Sequence, residues 1–258
     1  MTWDPTQYQR YGDERSRPFY ELVGRVPNER AQTIVDLGCG PGPLTASLEQ
    51  RWPGAHIIGV DNDAAMIDSA QKHSSANIRF ELGDLATWEP TGAVDVIVAN
   101  ASLQWVPGHR GLLGRWMAML TPGGTLAFQV PGNLDDPHHQ AIRALRATQK
   151  WASVGRLSQL PERTHDSFRA AQYLDTLAPL STAIDVWETT YVHILPGADP
   201  ILEWVKGTAL RPVLAALDST DQRDQFCADL APALRAAYPT KPWGTPFPFR
   251  RVFAVATL

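Results

Sequence analysis

Gly38, Gly40 and Gly42 stand at alternate positions in "IVDLGCGPGPLTASL", residues 34–48, between an apolar run and a helical pattern. Glycine lets the backbone approach a bound molecule closely. A strand that feeds a glycine turn and then a helix N-terminus makes a ligand site at the sheet's carboxyl edge. The spacing is G-x-G-x-G followed by Pro43, not the G-x-G-x-x-G of dinucleotide binders, which disfavours a nicotinamide dehydrogenase. Asp61 closes the next apolar run, "HIIGVD". There an acidic side chain accepts both hydroxyls of an adenosine ribose, unless it only caps a helix starting near Ala64. Gly83 and Asp84 close a third run, where Asp84 and the amide of Leu85 suit the edge of an adenine ring or, equally, a plain turn. Asn100 and Ala101 close a fourth, beside the expected reactive end of the ligand.

The elements that must position these residues alternate. Apolar runs at 33–38, 56–61, 78–84, 94–100 and 125–130 read as strands. Between them, helical patterns occupy 43–52, 64–73 and 110–120, the last closed by "TPGG". Such alternation over some 130 residues predicts a parallel sheet covered on both faces. The rhythm breaks after Pro131: 133–180 reads as helices and loops, 183–195 as a strand, 200–217 and 221–238 as helices, and 249–258 as a final strand. The expected architecture is one α/β domain with a helical cap inserted into it. Its parts are an N-terminal lid segment at 1–30, a ligand-binding core at 31–131 and cap regions at 132–181 and 196–240.

Bulk properties narrow the function. With 44% apolar and 19% charged residues over 258 positions, the chain has an ordinary globular balance. A formal net charge of −4 argues against a general nucleic-acid binder. The chain shows no apolar signal region at its start and no run of membrane-spanning length, so a cytoplasmic protein without membrane association is expected. Cys39 and Cys227 form no disulfide framework and no metal-ligand spacing. Cys39 suits a turn that needs a small residue, and Cys227 suits a helix core. "DDPHH", 135–139, reads as a turn and helix cap rather than a metal site.

Taken together, "VDLGCGPG", "GVDND", "LGDL" and the residues after the fourth strand resemble the class I S-adenosylmethionine-dependent methyltransferases. The resemblance implies a Rossmann-like, mostly parallel sheet of seven strands with the last antiparallel. It also implies S-adenosylmethionine as cofactor and S-adenosylhomocysteine as product. Gly38, Cys39, Gly40 and Gly42 would border the methionine half, with Asp36 orienting that loop. Asp61 would bind the ribose, Asn62 and Met66 would line the adenine pocket, and Gly83, Asp84 and Leu85 would bracket the ring. A longer likeness runs through "WDPTQY", "RSRPFYELVGRV", "ASLQWV", "WVKGTALRP" and "FPFRRVFAVA". It is similar to the trans-aconitate methyltransferase family, which implies a small tricarboxylate as substrate. One departure is "KPWGTPFPF", where Trp243 precedes Gly244 in place of an acidic residue or glycine.

Methylation of a carboxylate needs no general base, because the acid is ionised at pH 7. Alignment in a dry site supplies the catalysis, and no catalytic residue is assigned; Gln104 and Trp105 would position the acid. An arginine on the attacking oxygen would blunt it, so cations are expected on the carboxylates that are not methylated. The candidates are Arg15, Arg17, Lys206, Arg211 and either Arg250 or Arg251, with Gln7, Tyr8, Gln104 and Trp105 as neutral partners. Arg250 and Arg251 are adjacent on a strand, so only one of them faces the site. The alternatives are a methyltransferase with a different small acceptor, or a module that binds the cofactor without turnover. The sequence leaves the oligomeric state open.

Overall fold

The computed structural model describes residues 12–152 and 169–258. Gln7 and Tyr8 fall outside these residues. Arg15 lies on helix α1 (Gly12–Gly24), but its side chain also falls outside the description.

Short apolar runs pair into a seven-stranded sheet. Strands β1 (Thr33–Leu37), β2 (His56–Asp61), β3 (Ile78–Leu82), β4 (Val94–Asn100) and β5 (Leu120–Pro131) are its parallel part. Strand β6 (Ala183–Leu195) and strand β7 (Thr245–Thr257) complete the order β3-β2-β1-β4-β5-β7-β6. Strand β7 runs antiparallel to β5, as the resemblance implies, and lies inside β6 rather than at the edge. The order reverses at β1 and β4, which places their carboxyl ends at the switch point where open α/β sheets bind ligands.

The chain divides into two compact units. Among the described residues, the first takes 12–132, 169–189 and 251–258. Its central strands are buried along almost their whole length, with Ile34, Val35, Val96, Ile97, Val98, Leu126 and Phe128 fully enclosed. Helices α2 (Pro43–Arg51), α3 (Ala64–Ala70) and α4 (Leu113–Met117) follow β1, β2 and β4 in sequence. Helix α1 packs against β4 and β5.

The second unit takes 133–152 and 190–250. It contains α5 (Pro137–Arg146), then, past 169–189, α7 (Pro200–Lys206), α8 (Arg211–Ala215) and α9 (Thr220–Ala237). Helix α9 packs on α5 and α7. Its core is aromatic: Trp204 lies 5.0 Å from His193, 5.5 Å from Phe247 and 5.8 Å from Phe249, ring to ring. Helix α6 (Ala170–Leu177) clusters with the first unit, although the sequence reading groups 132–181 together.

Three local expectations are corrected. The helix read over 110–120 is a 3₁₀ turn (His109–Leu112) followed by the five residues of α4. "TPGG" does not close that helix but bulges from β5. Leu120 pairs with Val94 and Thr125 with Val96, and Thr121 Oγ1 donates to Asp95 Oδ1 at 2.8 Å across the gap. The span 200–217 is two helices, broken after Lys206 because Gly207 ends the first and Pro212 suits the first turn of the second.

Candidate functional site

Strand β1 delivers the chain into the glycine turn, and the turn is fastened from several sides. Gly38 N and Cys39 N both donate to Val60 O of β2, at 2.7 and 3.0 Å. Gly38 adopts φ +84°, Gly40 +55° and Gly42 +89°, the left-handed region that glycine enters without strain. Gly42 caps α2 and Pro43 occupies its first turn.

The three glycines differ in what surrounds them. A Cβ at Gly38 would lie 2.2 Å from Ser102 Cβ, and one at Gly42 would lie 3.0 Å from Ala70 Cβ and from Phe80 Cζ. At Gly40 it would meet nothing within 4 Å. Packing therefore demands glycine at two positions, while the open one leaves backbone accessible to a ligand. Gly59 on β2, absent from the sequence candidates, is held by the same packing: its Cβ would meet Phe80 Cδ1 at 2.5 Å and Cys39 Cβ at 3.0 Å. Its only sequence signal was a glycine inside an apolar strand run.

Asp61 is not the cap of α3. That cap is Asp63, whose Oδ1 accepts Ala65 N and Met66 N at 2.9 and 3.3 Å. Asp61 instead accepts Gly40 N on Oδ2 at 2.9 Å and Asp63 N on Oδ1 at 3.0 Å. Each carboxylate oxygen has two lone pairs, so capacity remains for two hydroxyls. Burial raises its pKa, with the Asp63 and Gly40 hydrogen bonds opposing.

Asp36 lies beneath the turn, fully buried, and accepts Thr45 Oγ1 from α2 at 2.6 Å. Burial pushes its pKa up to about 7, the Thr45 bond opposes, and the charge of Asp61 adds to the rise. The Cys39 thiol is also pushed up, by burial and by Asp36 and Asp61, so it stays protonated and is no nucleophile.

The adenine-side candidates gather at the ends of β2 and β3. Asn62 is exposed, whereas Met66 and Leu85 are buried. Gly83 N donates to Asp61 O at 2.9 Å, linking the two strand ends. Asp84 acts as a turn residue, its Oδ1 accepting Ala86 N at 2.9 Å.

At the end of β4 the backbone is unusual. Ala101 has φ +52°, the one non-glycine with positive φ among the described residues. The next residue, Ser102, sits over Gly38 and donates from Oγ to Leu37 O at 2.6 Å. Gln104 is buried, and its Nε2 donates back to Ala101 O; Trp105 is partly exposed.

Asn100 Oδ1 accepts Gln129 Nε2 at 2.6 Å, and Gln129 Oε1 accepts Arg251 Nη1 at 3.4 Å. Gln129 and Arg251 are both buried; Arg251 is one of the two arginines the sequence left open, whereas Gln129 is not among the sequence candidates. Alternation along β7 put Arg250 and Arg251 on opposite faces, and pairing with β5 decides that Arg251 is the one beside Gln129.

The remaining candidate cations lie on different elements. Arg17 is exposed on α1. Lys206 is engaged with Glu203 at 2.7 Å on its own helix. Arg211 opens α8, half-buried, and Arg250 is near enough to Asp136 to oppose the burial that pushes Asp136 up to about 6. Asp136 is the N-cap residue of α5 and its N–H closes a turn with Asn133 O at 3.0 Å, as "DDPHH" reads, although its side chain makes no capping bond. Trp243 stands 60% exposed in the tight turn closed by Lys241 and Gly244. Gly244 is required there, with φ +122° and a Cβ position 2.7 Å from Ile194 Cγ2.

Comparison with known proteins decides the family. Residues 34–124 match the family described as "Methyltransferase domain". The chain is 48% identical to a trans-aconitate 2-methyltransferase of Streptomyces avermitilis, over 99% of this chain and 96% of that protein. The chain belongs to the trans-aconitate 2-methyltransferase family. The family's protein from Mycolicibacterium gilvum is 46% identical over 98% of each chain. Among solved structures, a SAM-dependent methyltransferase from Thiobacillus denitrificans, in complex with S-adenosyl-L-homocysteine, shares the fold. Its TM-score is 0.55 at 18% identity, over 100% of both chains. Against this family fold, the glycine turn, Asp61 and Asn100 occupy the switch-point edge of the sheet. No helix among the described residues is long and apolar enough to cross a membrane.

Proposed function

We propose that the chain is a carboxyl O-methyltransferase that uses S-adenosylmethionine to convert trans-aconitate, or a related small tricarboxylate, into its monomethyl ester, with S-adenosylhomocysteine as the other product. The observation that carries the reading is the Asp61 carboxylate, tied to Gly40 N while Asp63 caps the helix. The residues fit an adenosine: Asp61 keeps acceptor capacity for ribose hydroxyls, and the space over Gly40 is open.

When bound, S-adenosylmethionine supplies an electrophilic methyl group on a sulfonium. Gly38, Cys39, Gly40, Gly42 and Asp36 form and support the turn for its methionine half, Asp61 takes the ribose, and Asn62, Met66, Gly83, Asp84 and Leu85 surround the adenine. Asn100 and Ala101 border the reacting end. No side chain has to remove a proton, because the acceptor is a carboxylate already ionised at neutral pH. The protein's task is to hold that carboxylate in line and keep water out, and such alignment is worth effective molarities of about 10⁵ M or more. Of the cations, Lys206 already neutralises Glu203. Two free, buried cysteines suit a reducing cytoplasm.

The test is mass spectrometry of the protein incubated with S-adenosylmethionine and trans-aconitate, cis-aconitate, isocitrate or citrate. One added methyl on trans-aconitate is expected. Saturable cofactor binding with no methyl on any acid would overturn the substrate and leave a cofactor-binding module.

A further inference from the structure

The three side chains Arg251, Gln129 and Asn100 form a line of hydrogen bonds with only one possible polarity. A guanidinium donates and never accepts. Arg251 Nη1 therefore fixes Gln129 Oε1 as the acceptor, at 3.4 Å. That turns Gln129 Nε2 toward Asn100, where it donates to Oδ1 at 2.6 Å. Asn100 in turn must direct its Nδ2 hydrogens away from Gln129. Amide oxygen and nitrogen are otherwise interchangeable in shape, and only the donor at the head of the line removes the ambiguity.

The surroundings enforce this order. Gln129 is 0% and Arg251 5% exposed, so a reversed amide would leave buried groups unpaired in a low dielectric. The register aligns them on one face: Asn100 is opposite Gln129, and Arg251 is paired to Pro131, two residues further along β5. Asn100 itself is half-buried at the end of β4, next to the strained Ala101 and the Ser102 that covers Gly38. Among the described residues its Nδ2 has no hydrogen-bond partner.

We propose that Arg251 and Gln129 are positioning residues that lock Asn100 as a donor, and that its Nδ2 hydrogens recognise a carboxylate. The inference rests on the proposed methyl transfer to a carboxylic acid. A carboxylate only accepts hydrogen bonds, so it matches a locked donor, whereas an ammonium group, which only donates, would meet the wrong end of the amide. A neutral N–H also holds the acid without the full charge that would quench its nucleophilicity. Two carboxylates share this chemistry, that of the acid substrate and that of the methionine half of the cofactor.

Gln129→Glu is the decisive variant. Glutamate accepts at both ends, so it pairs with Arg251 and makes Asn100 donate inward, turning Oδ1 outward against the carboxylate. Asn100→Asp is the second variant; it keeps the acceptor for Gln129 and removes the donor without altering the buried relay. Wild-type turnover of trans-aconitate is established first, since its absence overturns the proposed substrate and not the relay. If the acid substrate is the ligand, both variants raise its KM about ten- to a hundredfold, while kcat changes by less and the calorimetric Kd for S-adenosylmethionine stays within about twofold. If the cofactor carboxylate is the ligand, that Kd rises instead and KM for the acid does not. A merely structural role would lower kcat with neither KM nor Kd moved. That result, or wild-type constants in both variants, overturns the proposal.

Discussion

Asp61 Oδ2 accepts the backbone N–H of Gly40 at 2.9 Å, so the residue that ends β2 holds the turn that follows β1. One carboxylate thereby shapes the loop and is the group proposed to take the ribose. Asp61→Ala is expected to weaken S-adenosylmethionine binding about a hundredfold or more, because charge-assisted hydrogen bonds are each worth roughly 1.5–3 kcal/mol. It also loosens the turn, costing about 1–3 kcal/mol of folding stability through the Gly40 and Asp63 amides it leaves unpaired. Calorimetric titration and urea denaturation of the same variant separate the two effects; unchanged affinity would remove the ribose role.

Gly38 and Gly40 should respond to alanine in opposite ways. At Gly38 the new methyl would overlap Ser102 Cβ at 2.2 Å, so Gly38→Ala is expected to cost about 3 kcal/mol or more and yield little folded protein. At Gly40 nothing is in the way, so Gly40→Ala costs only about 1–2 kcal/mol for its left-handed backbone and shows its main effect on cofactor affinity. Thermal unfolding with and without S-adenosylmethionine reads both.

Asp36 makes the protein less stable as the pH rises toward neutral. Its folded pKa is about 7, well above the ordinary carboxylate value of about 3.9. Between these values the native state binds the extra proton, so stability falls as pH rises from about 4 to about 7 and then levels. His138 works the other way, since burial holds it neutral below its ordinary value and stability falls on acidification through that value. Asp36→Asn keeps an acceptor for Thr45 and removes the Asp36 contribution alone. Relative to wild type it is expected to gain on the order of 3 kcal/mol at pH 7.5 and much less at pH 5. Urea melts at pH 5, 6 and 7.5 check the difference; a pH-independent gain would contradict it.

Tyr238 at the end of α9 joins that helix to the start of α5. Its hydroxyl accepts His138 N at 3.3 Å and meets His138 Nδ1 at 2.8 Å. Tyr238→Phe should cost about 1–3 kcal/mol by leaving buried polar groups unmatched, while the ring keeps its edge contact with Phe247, 5.4 Å away. Urea denaturation measures the loss, and hydrogen exchange should show it first in α5 and α9.

Much of the cofactor half was legible in the sequence because it is local. Apolar runs set strands, Pro43 and the glycines set the turn, and a carboxylate at the end of "HIIGVD" fell at the edge of the sheet. Residues 110–124 were misread because helical spacing over "RGLLGRWMAML" does not reveal that Leu120 pairs with Val94. Local periodicity cannot register a competitor that sits 26 residues away.

The sequence by itself determined the alternating α/β chain, the G-x-G-x-G turn and the acidic strand end, since each depends on neighbouring residues and backbone sterics alone. Only the tertiary structure decided that Asp63 rather than Asp61 caps α3, that Ser102 closes over Gly38, and that Arg251 rather than Arg250 reaches Gln129. Those outcomes come from strand register and packing between segments distant in the chain. A shift of one residue in β7 would exchange the two arginines between faces, and no pattern within β7 alone records which register β5 selects.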